Sequence, residues 1–296
     1  RNLIMQIIST FIGIGCYMLL SSIDTDIFSE HRRLLIFACF AMILLLIPFG
    51  TDNGTGNKSW IPIPFIKIYV QPAELCKLPF VLILASIMAS HQNRISHVSS
   101  VVHMIIYLGL IAGINFVVSS DLGVTMIFVA IFAGMFIAGG VKMWWTIGGL
   151  SAIAAVFPIL WTKVFSTEQQ NRILVLFIPE VIDPTGLDER WHTTQSMNSL
   201  TGGGLFGQGL FQGNHTQLNG SLFAQHTDFI YCVIGEELGF IGCAAVLLLL
   251  CAIIGRCIWV GLRSPDNLRR LVCFGVASAL VFQVISNIGM CIGVMP

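Results

Sequence analysis

The sequence predicts an all-α, polytopic membrane protein with about eight transmembrane helices and one large loop outside the membrane. Hydrophobic residues make up 55% of the chain and charged residues only 10%, far less charge than a soluble domain carries. Apolar runs recur along the whole chain at about the length that crosses a bilayer. One long polar stretch, 166–227, interrupts them. No soluble module, low-complexity linker or fixed-period repeat is visible, so residues 1–296 read as a single membrane domain.

The first span, 3–21, has neither the basic leading segment nor the small-residue cleavage site of a signal peptide. A second span at 34–50 leads into a connection over 51–72 that opens with the flexible run Asp52-Asn53-Gly54-Thr55-Gly56-Asn57. Trp60-Ile61-Pro62-Ile63-Pro64-Phe65 follows, and prolines two apart forbid a regular helix. Trp60 and Tyr69 suit a membrane interface, so this segment is expected to lie along the outer surface before re-entering at Gln71-Pro72. Spans at 73–90, 100–118, 122–141 and 144–164 come next, and spans at 229–255 and 271–292 follow the polar loop. The chain starts at Arg1 almost inside a span and stops at Pro296 just after another. It therefore reads as a fragment lacking helices at both ends.

The loop 166–227 divides into parts. Glu168 to Ile178 fits a short amphipathic helix with Ile173, Leu174 and Phe177 on one face. Pro179 to Gly186 is turn-rich, and Arg190 to Leu200 fits a second short helix. Gly202-Gly203-Gly204 and Gly207-Gln208-Gly209 come next, then Gln212-Gly213-Asn214-His215-Thr216-Gln217. Such glycines suit either a flexible loop or a backbone cradle for an extended polar ligand such as phosphate or sugar. The lysine of a nucleotide-binding loop is missing and no strand precedes, which excludes that motif.

Alternating the connections puts Arg32, Arg33, Arg94, Lys142, Arg256, Arg263, Arg269 and Arg270 on one side. The short loops opposite hold only Lys58 and Lys67. The first side is then cytoplasmic and the loop 166–227 extracytoplasmic. The formal net charge of zero carries no message about partners, because the asymmetry lies across the membrane. The nine cysteines lie in or beside apolar runs, with no close CxxC pair and none in the external loop. They read as small buried apolar residues, not as disulfides or a zinc site.

Ionisable residues at the edge of hydrocarbon are costly unless paired or used, which makes them functional candidates. Asp228 ends His226-Thr227-Asp228 where an apolar run begins; as a bare structural feature it would be a helix cap. Glu74 and Lys77 stand at i, i+3 behind Pro72, on one face of a helix that Pro72 would start, and mutual pairing is expected. Asp121 opens another helix at the same side, and Glu236 and Glu237 lie two turns below Asp228. These groups could form an ordering ion-pair network or an ion path. Transporter carboxylates sit near the midplane, whereas these cluster at the outer side, a depth better suited to chemistry on a lipid headgroup.

Several blocks occur in order: Gln71-Pro72-Ala73-Glu74 with Lys77, Asp121-Leu122-Gly123, Gln195-Ser196, Gly202-Gly203-Gly204, Gly207-Gln208-Gly209, and His226-Thr227-Asp228-Phe229 with Gly235-Glu236-Glu237-Leu238-Gly239. Together they resemble the shape, elongation, division and sporulation (SEDS) proteins, typified by RodA and FtsW, across essentially the whole chain. The resemblance implies ten helices in a complete member. It implies polymerisation of lipid II, the undecaprenyl-pyrophosphate-linked disaccharide-pentapeptide, beside a class B penicillin-binding protein, with no nucleic acid involved. The family usually has Leu-Pro-Glu before its His-Thr-Asp, where Phe223-Ala224-Gln225 stands here. Ser119-Ser120 replaces Gln-Pro, Gln208 replaces a basic residue, and Lys58-Ser59 replaces an arginine before Trp60.

The expectation is an inverting glycosyltransferase with Asp228 as general base. Lys77 is expected to offset the charge of the leaving diphosphate, positioned by Glu74 and Asp121. Gln195, Ser196, Gly203, Gly207, His226 and Thr227 are expected at the substrate, with Gln71, Pro72, Glu236 and Glu237 as positioning residues. No dedicated metal motif is visible, although a divalent cation such as Mg2+ is compatible with this chemistry. A precursor flippase and a non-catalytic scaffold for a penicillin-binding protein are the competing readings.

Overall fold

A computed structural model describes residues 2–51, 58–63, 68–186, 189–218, 222 and 225–295. The expectations for Asp52 to Asn57, Pro64-Phe65, Lys67 and Phe223-Ala224 fall outside the described residues. The protein is a multi-pass membrane protein of the all-α class. Six of its helical runs are long and apolar enough to cross a membrane, and two shorter apolar helices, 5–21 and 122–138, bring the set to the expected number.

In order these are α1 (Asn2–Ser21), the short α2 (Thr25–Glu30), α3 (Arg32–Leu44) with α4 (Leu46–Phe49), α5 (Pro72–Ser90), α6 (Val98–Ser119), α7 (Leu122–Ala138) and α8 (Met143–Lys163). The polar region contributes α9 (Thr167–Leu174), α10 (Pro179–Ile182) and α11 (Glu189–Gly202). The last two long helices are α12 (Ile230–Arg263) and α13 (Asn267–Cys291). One local feature had no counterpart in the sequence reading. The proline-rich connection forms an antiparallel pair, β1 (Ile61–Ile63) with β2 (Ile68–Val70), in which Pro62 faces Tyr69. A two-stranded ribbon has only edges, so proline's missing N–H costs little there.

The chain packs as two compact units, residues 1–140 with 263–276 and residues 141–262 with 277–296. The first is organised around α5, twelve of whose nineteen residues are buried, which makes it a core helix. Phe80, fully buried, stacks on Tyr107 of α6 at 5.2 Å between centroids and meets Phe128 of α7 edge-on at 5.1 Å. Cys39, Ile43, Leu84, Met104, Ile131 and Met135 fill the space around them. Gly139 lies against the Met88 side chain and Gly275 against Val81 and Met135, so any side chain there would displace core atoms.

The second unit begins with α8, none of whose residues is buried. An apolar helix with every face exposed is the pattern lipid solvates. Ser166 starts α9 through a reciprocal capping box with Gln169. Asp183 folds the turn after α10, its carboxylate accepting from Gly186 N–H at 2.8 Å and Thr185 hydroxyl at 3.0 Å. A small apolar cluster of Leu222, Cys232 and Cys291, with Leu200, Phe229, Tyr231 and Val233 packed on it, joins α11, α12 and α13.

α12 is not continuous. Gly239 has φ 70° and ψ −168°, which splits the helix into 230–238 and 240–263. The positive φ is one that a side chain would resist. A helix break orphans carbonyls on one side and N–H groups on the other. The glycine-rich turn after α11 answers both sets. Gln208 and Gly209 N–H donate to the carbonyls of Glu236 and Glu237 at 2.8 and 3.1 Å. Phe240 and Ile241 N–H donate to the carbonyls of Gly204 and Leu205 at 2.9 and 3.3 Å.

Candidate functional site

In the first unit, α5 begins with Gln71 as its N-cap residue and Pro72 in its first turn. Proline there loses no helical hydrogen bond and brings φ already set. One turn on, Lys77 Nζ meets Glu74 Oε1 at 2.6 Å, the expected pair. The lysine side chain is 9% exposed and the glutamate 46%, so only one partner leaves water. Asp121 caps α7, its Oδ1 accepting from Val124 N–H at 3.1 Å. Its Oδ2 accepts from Gln71 Nε2 at 2.9 Å. That moves Asp121 off its expected role: it fastens the start of α7 to the start of α5 and makes no ion pair with Lys77. A capping aspartate has only two oxygens, and both are occupied. Behind it, Thr125 donates to the Asp121 carbonyl at 2.7 Å, and Asn115 Nδ2 donates to Thr125 at 3.3 Å. Asn115 is fully buried and its Oδ1 has no partner among the described residues. Sequence reading missed it, because a lone asparagine in an apolar run carries no spacing signal.

In the second unit the glycines do something other than expected. A Cβ on Gly203 would overlap the Gly235 carbonyl, and one on Gly207 the Glu237 carbonyl. Both glycines thus meet the backbone of α12 at its break, where the reading as a substrate cradle had put a ligand. Gly239 meets Gly207 N and the Leu205 carbonyl in the same way. The two motifs interlock because each supplies the backbone groups the other lacks.

Glu236 and Glu237 complete that joint. Glu236 is fully buried, and its carboxylate accepts from the backbone N–H groups of His215 at 2.7 Å and Thr216 at 3.0 Å. Glu237 accepts from Gln217 Nε2 at 3.1 Å. Their targets form the π-helical turn Asn214–Leu218, so both carboxylates order that turn. Ser196, expected at the substrate, is buried; its hydroxyl donates to the Cys291 carbonyl at 2.7 Å and joins α11 to the end of α13. Gln195 is half-buried on α11, and its carbonyl accepts from Ser199.

Asp228 lies in the turn 225–229, just ahead of α12, with His226 and Thr227 beside it in sequence and all three exposed. Its carboxylate has no hydrogen-bonding partner among the described residues. The side chain reaches solvent, yet enough protein surrounds it that desolvation raises the carboxyl above the ordinary aspartate range. Its backbone is the opposite case: the carbonyl accepts from Asn287 Nδ2 at 3.0 Å and from the Cys291 thiol at 3.7 Å. The geometry is a fixed main chain presenting a free carboxylate. Asn287 went unnoticed in the sequence, where it is one polar residue in a late apolar helix. Beside this turn, His192 of α11 stacks on Phe229 with centroids 6.3 Å apart.

Residues 2–296 match the family described as cell cycle protein, that of FtsW, RodA and SpoVE. A probable peptidoglycan glycosyltransferase FtsW of Geobacter sp. (strain M18) is 28% identical over 289 residues, 97% of this chain and 75% of that protein. The peptidoglycan glycosyltransferase MrdB of Escherichia coli (strain K12) is 30% identical over 288 residues, 96% of this chain and 74% of that protein. Among solved structures, a chain of a peptidoglycan synthase complex superposes with a TM-score of 0.76 at 24% identity, covering 97% of this chain and 79% of that one. Thermus thermophilus RodA superposes at 0.63 and 22% identity, over 95% of this chain and 73% of that one. With the blocks around Glu74, Asp121, Asp228 and Glu236 each in a defined place in the fold, the chain belongs to the FtsW/RodA/SpoVE family.

Proposed function

We propose that this chain is an inverting glycosyltransferase that polymerises lipid II into glycan strands at the outer face of the cytoplasmic membrane. The observation that carries the reading is Asp228: held through its backbone, it alone of the acids in the blocks discussed above keeps its carboxylate unspent. In the proposed reaction the acceptor sugar's 4-hydroxyl oxygen bonds to the donor's anomeric carbon as the bond to the diphosphate oxygen breaks. The hydroxyl proton goes to the Asp228 carboxylate, and the polyprenyl diphosphate leaves with the bonding electrons. A carboxyl raised above its ordinary range is a stronger base than a free aspartate once deprotonated. Relatives named peptidoglycan glycosyltransferases support the reaction class. The likeness to a synthase-complex chain supports a class B penicillin-binding protein as partner. The Lys and Arg asymmetry supports the sidedness.

Among the described residues no group of three or more His, Cys, Asp or Glu comes together to hold a metal. The proton transfer above is assigned to Asp228. The test is a glycan-chain assay of the full-length protein with its cognate partner. Asp228→Asn should make no polymer while still binding lipid II and the partner. Full polymerisation by Asp228→Asn would falsify the assignment. Transbilayer movement of lipid II with no polymer from the wild type would install the flippase reading instead.

A further inference from the structure

The Asp228 carbonyl is the unusual atom of the turn 225–229. In a regular helix start it would receive the N–H of residue 232, but Cys232 N–H goes to the Phe229 carbonyl at 3.0 Å, as does Val233 N–H at 3.3 Å. The backbone of α12 therefore leaves the Asp228 carbonyl free. Two side chains from α13 take it, Asn287 Nδ2 at 3.0 Å and Cys291 Sγ at 3.7 Å. The amide bond is the stronger of the two, since a thiol is a weak donor. Cys291 is itself fixed, because the buried Ser196 hydroxyl donates to its carbonyl at 2.7 Å.

We propose that Asn287 is a positioning residue for Asp228: its side-chain amide ties the Asp228 main chain to α13, so that α13 and not α12 sets where the carboxylate points. Asn287 is half-buried and stands on the helix face that meets the turn. This inference rests on the polymerase reading of Asp228 only for its kinetic consequence. A reacting group displaced by about 1 Å can lose on the order of 100-fold in rate. KM for lipid II should change less than kcat, because the tie acts on the Asp228 main chain.

The experiment uses the full-length protein with its partner and compares Asn287→Leu, Asn287→Ala and Asn287→Gln. Leucine keeps the volume and removes the donor, whereas glutamine keeps a donor on a longer arm. Leucine and alanine should lower kcat for glycan synthesis about 10- to 100-fold, with KM for lipid II within about threefold. Glutamine should recover at least part of kcat relative to leucine. Amide hydrogen exchange over residues 226–232 should rise in the leucine variant and stay near wild type in the glutamine variant, a readout independent of activity. Unchanged exchange in the leucine variant overturns the tie, whatever the kinetics. Raised exchange with wild-type kcat overturns the positioning role, as does a loss carried by KM alone. If the wild type makes no glycan, the polymerase reading of Asp228 fails, and the exchange data still decide whether Asn287 holds the turn.

Discussion

Asp121 and Asp228 both precede an apolar helix, and both follow polar residues, yet the fold treats them oppositely. Asp121 spends its carboxylate on structure: one oxygen caps α7 and the other receives Gln71. Asp228 spends its main chain on structure and leaves its carboxylate open. An acid whose oxygens are both hydrogen-bonded is committed to holding its neighbours in place. One held by its carbonyl can titrate while the turn stays intact. The pair teaches that a conspicuous carboxylate at a helix start is assigned by where its hydrogen bonds go, and sequence does not show that.

The largest effect should come from pH. Burial raises the Asp228 carboxyl, so the base becomes protonated, and inactive, at a higher pH than an ordinary aspartate. Polymerisation should fall about tenfold per pH unit on the acid side, with the limb lying above the ordinary aspartate range. The linked stability has the reverse sense. A folded pKa above the unfolded one means that the folded state holds the proton more tightly, so stability declines as pH rises through that window. Asp228→Asn should remove this decline. An acid limb at or below the ordinary aspartate value would erase the distinction between the two residues.

A middling effect is expected at Asp121. Asp121→Ala removes a cap and strands Gln71, a loss of about 1–2 kcal/mol in stability. Polymerisation per folded molecule should stay within about threefold of wild type. Thermal unfolding beside the glycan assay checks both, and an Asp121→Ala protein that is stable yet dead would move Asp121 into the chemistry.

The smallest effect should be the coupling of Glu74 with Lys77. A fully buried pair loses roughly 3–5 kcal/mol when one partner is removed, but Glu74 is 46% exposed and water screens it. A double-mutant cycle on stability should give a measurable coupling of about 0.3–1 kcal/mol. Strictly additive losses would show that the 2.6 Å contact does not persist in the membrane.

The spans were legible because burying apolar residues in lipid leaves an unmistakable composition, and the Glu74–Lys77 pair because i, i+3 spacing fixes a helical face. Asp228 stood out because its motif marks the point where polarity ends. The glycine blocks were visible, but their purpose was not: glycine reports room or close approach without naming the neighbour. Here the neighbour is another stretch of backbone, 235–239, joined across a long sequence separation. The same limit hid Asn115 and Asn287. Each is a single amide in an apolar helix, and its partner becomes known only when the helices pack. The strand pair 61–63 with 68–70 escaped because prolines two apart exclude a helix without saying what replaces it.

The break at Gly239 also bears on how α12 matches the thickness of the bilayer. Residues 240–263 rise roughly 36 Å at 1.5 Å per residue, against a hydrocarbon layer of about 30 Å. The second segment therefore has the length to cross without help from 230–238, with Arg256 of its later turns extending its guanidinium to the membrane boundary. Those first turns are surplus to the crossing and are released to serve as a platform at the membrane boundary. The full helix, taken as one rod, would overshoot the hydrocarbon and would have to tilt or stretch the surrounding lipid. Bent at Gly239, it matches hydrophobic thickness with one segment and carries Glu236 and Glu237 on the other.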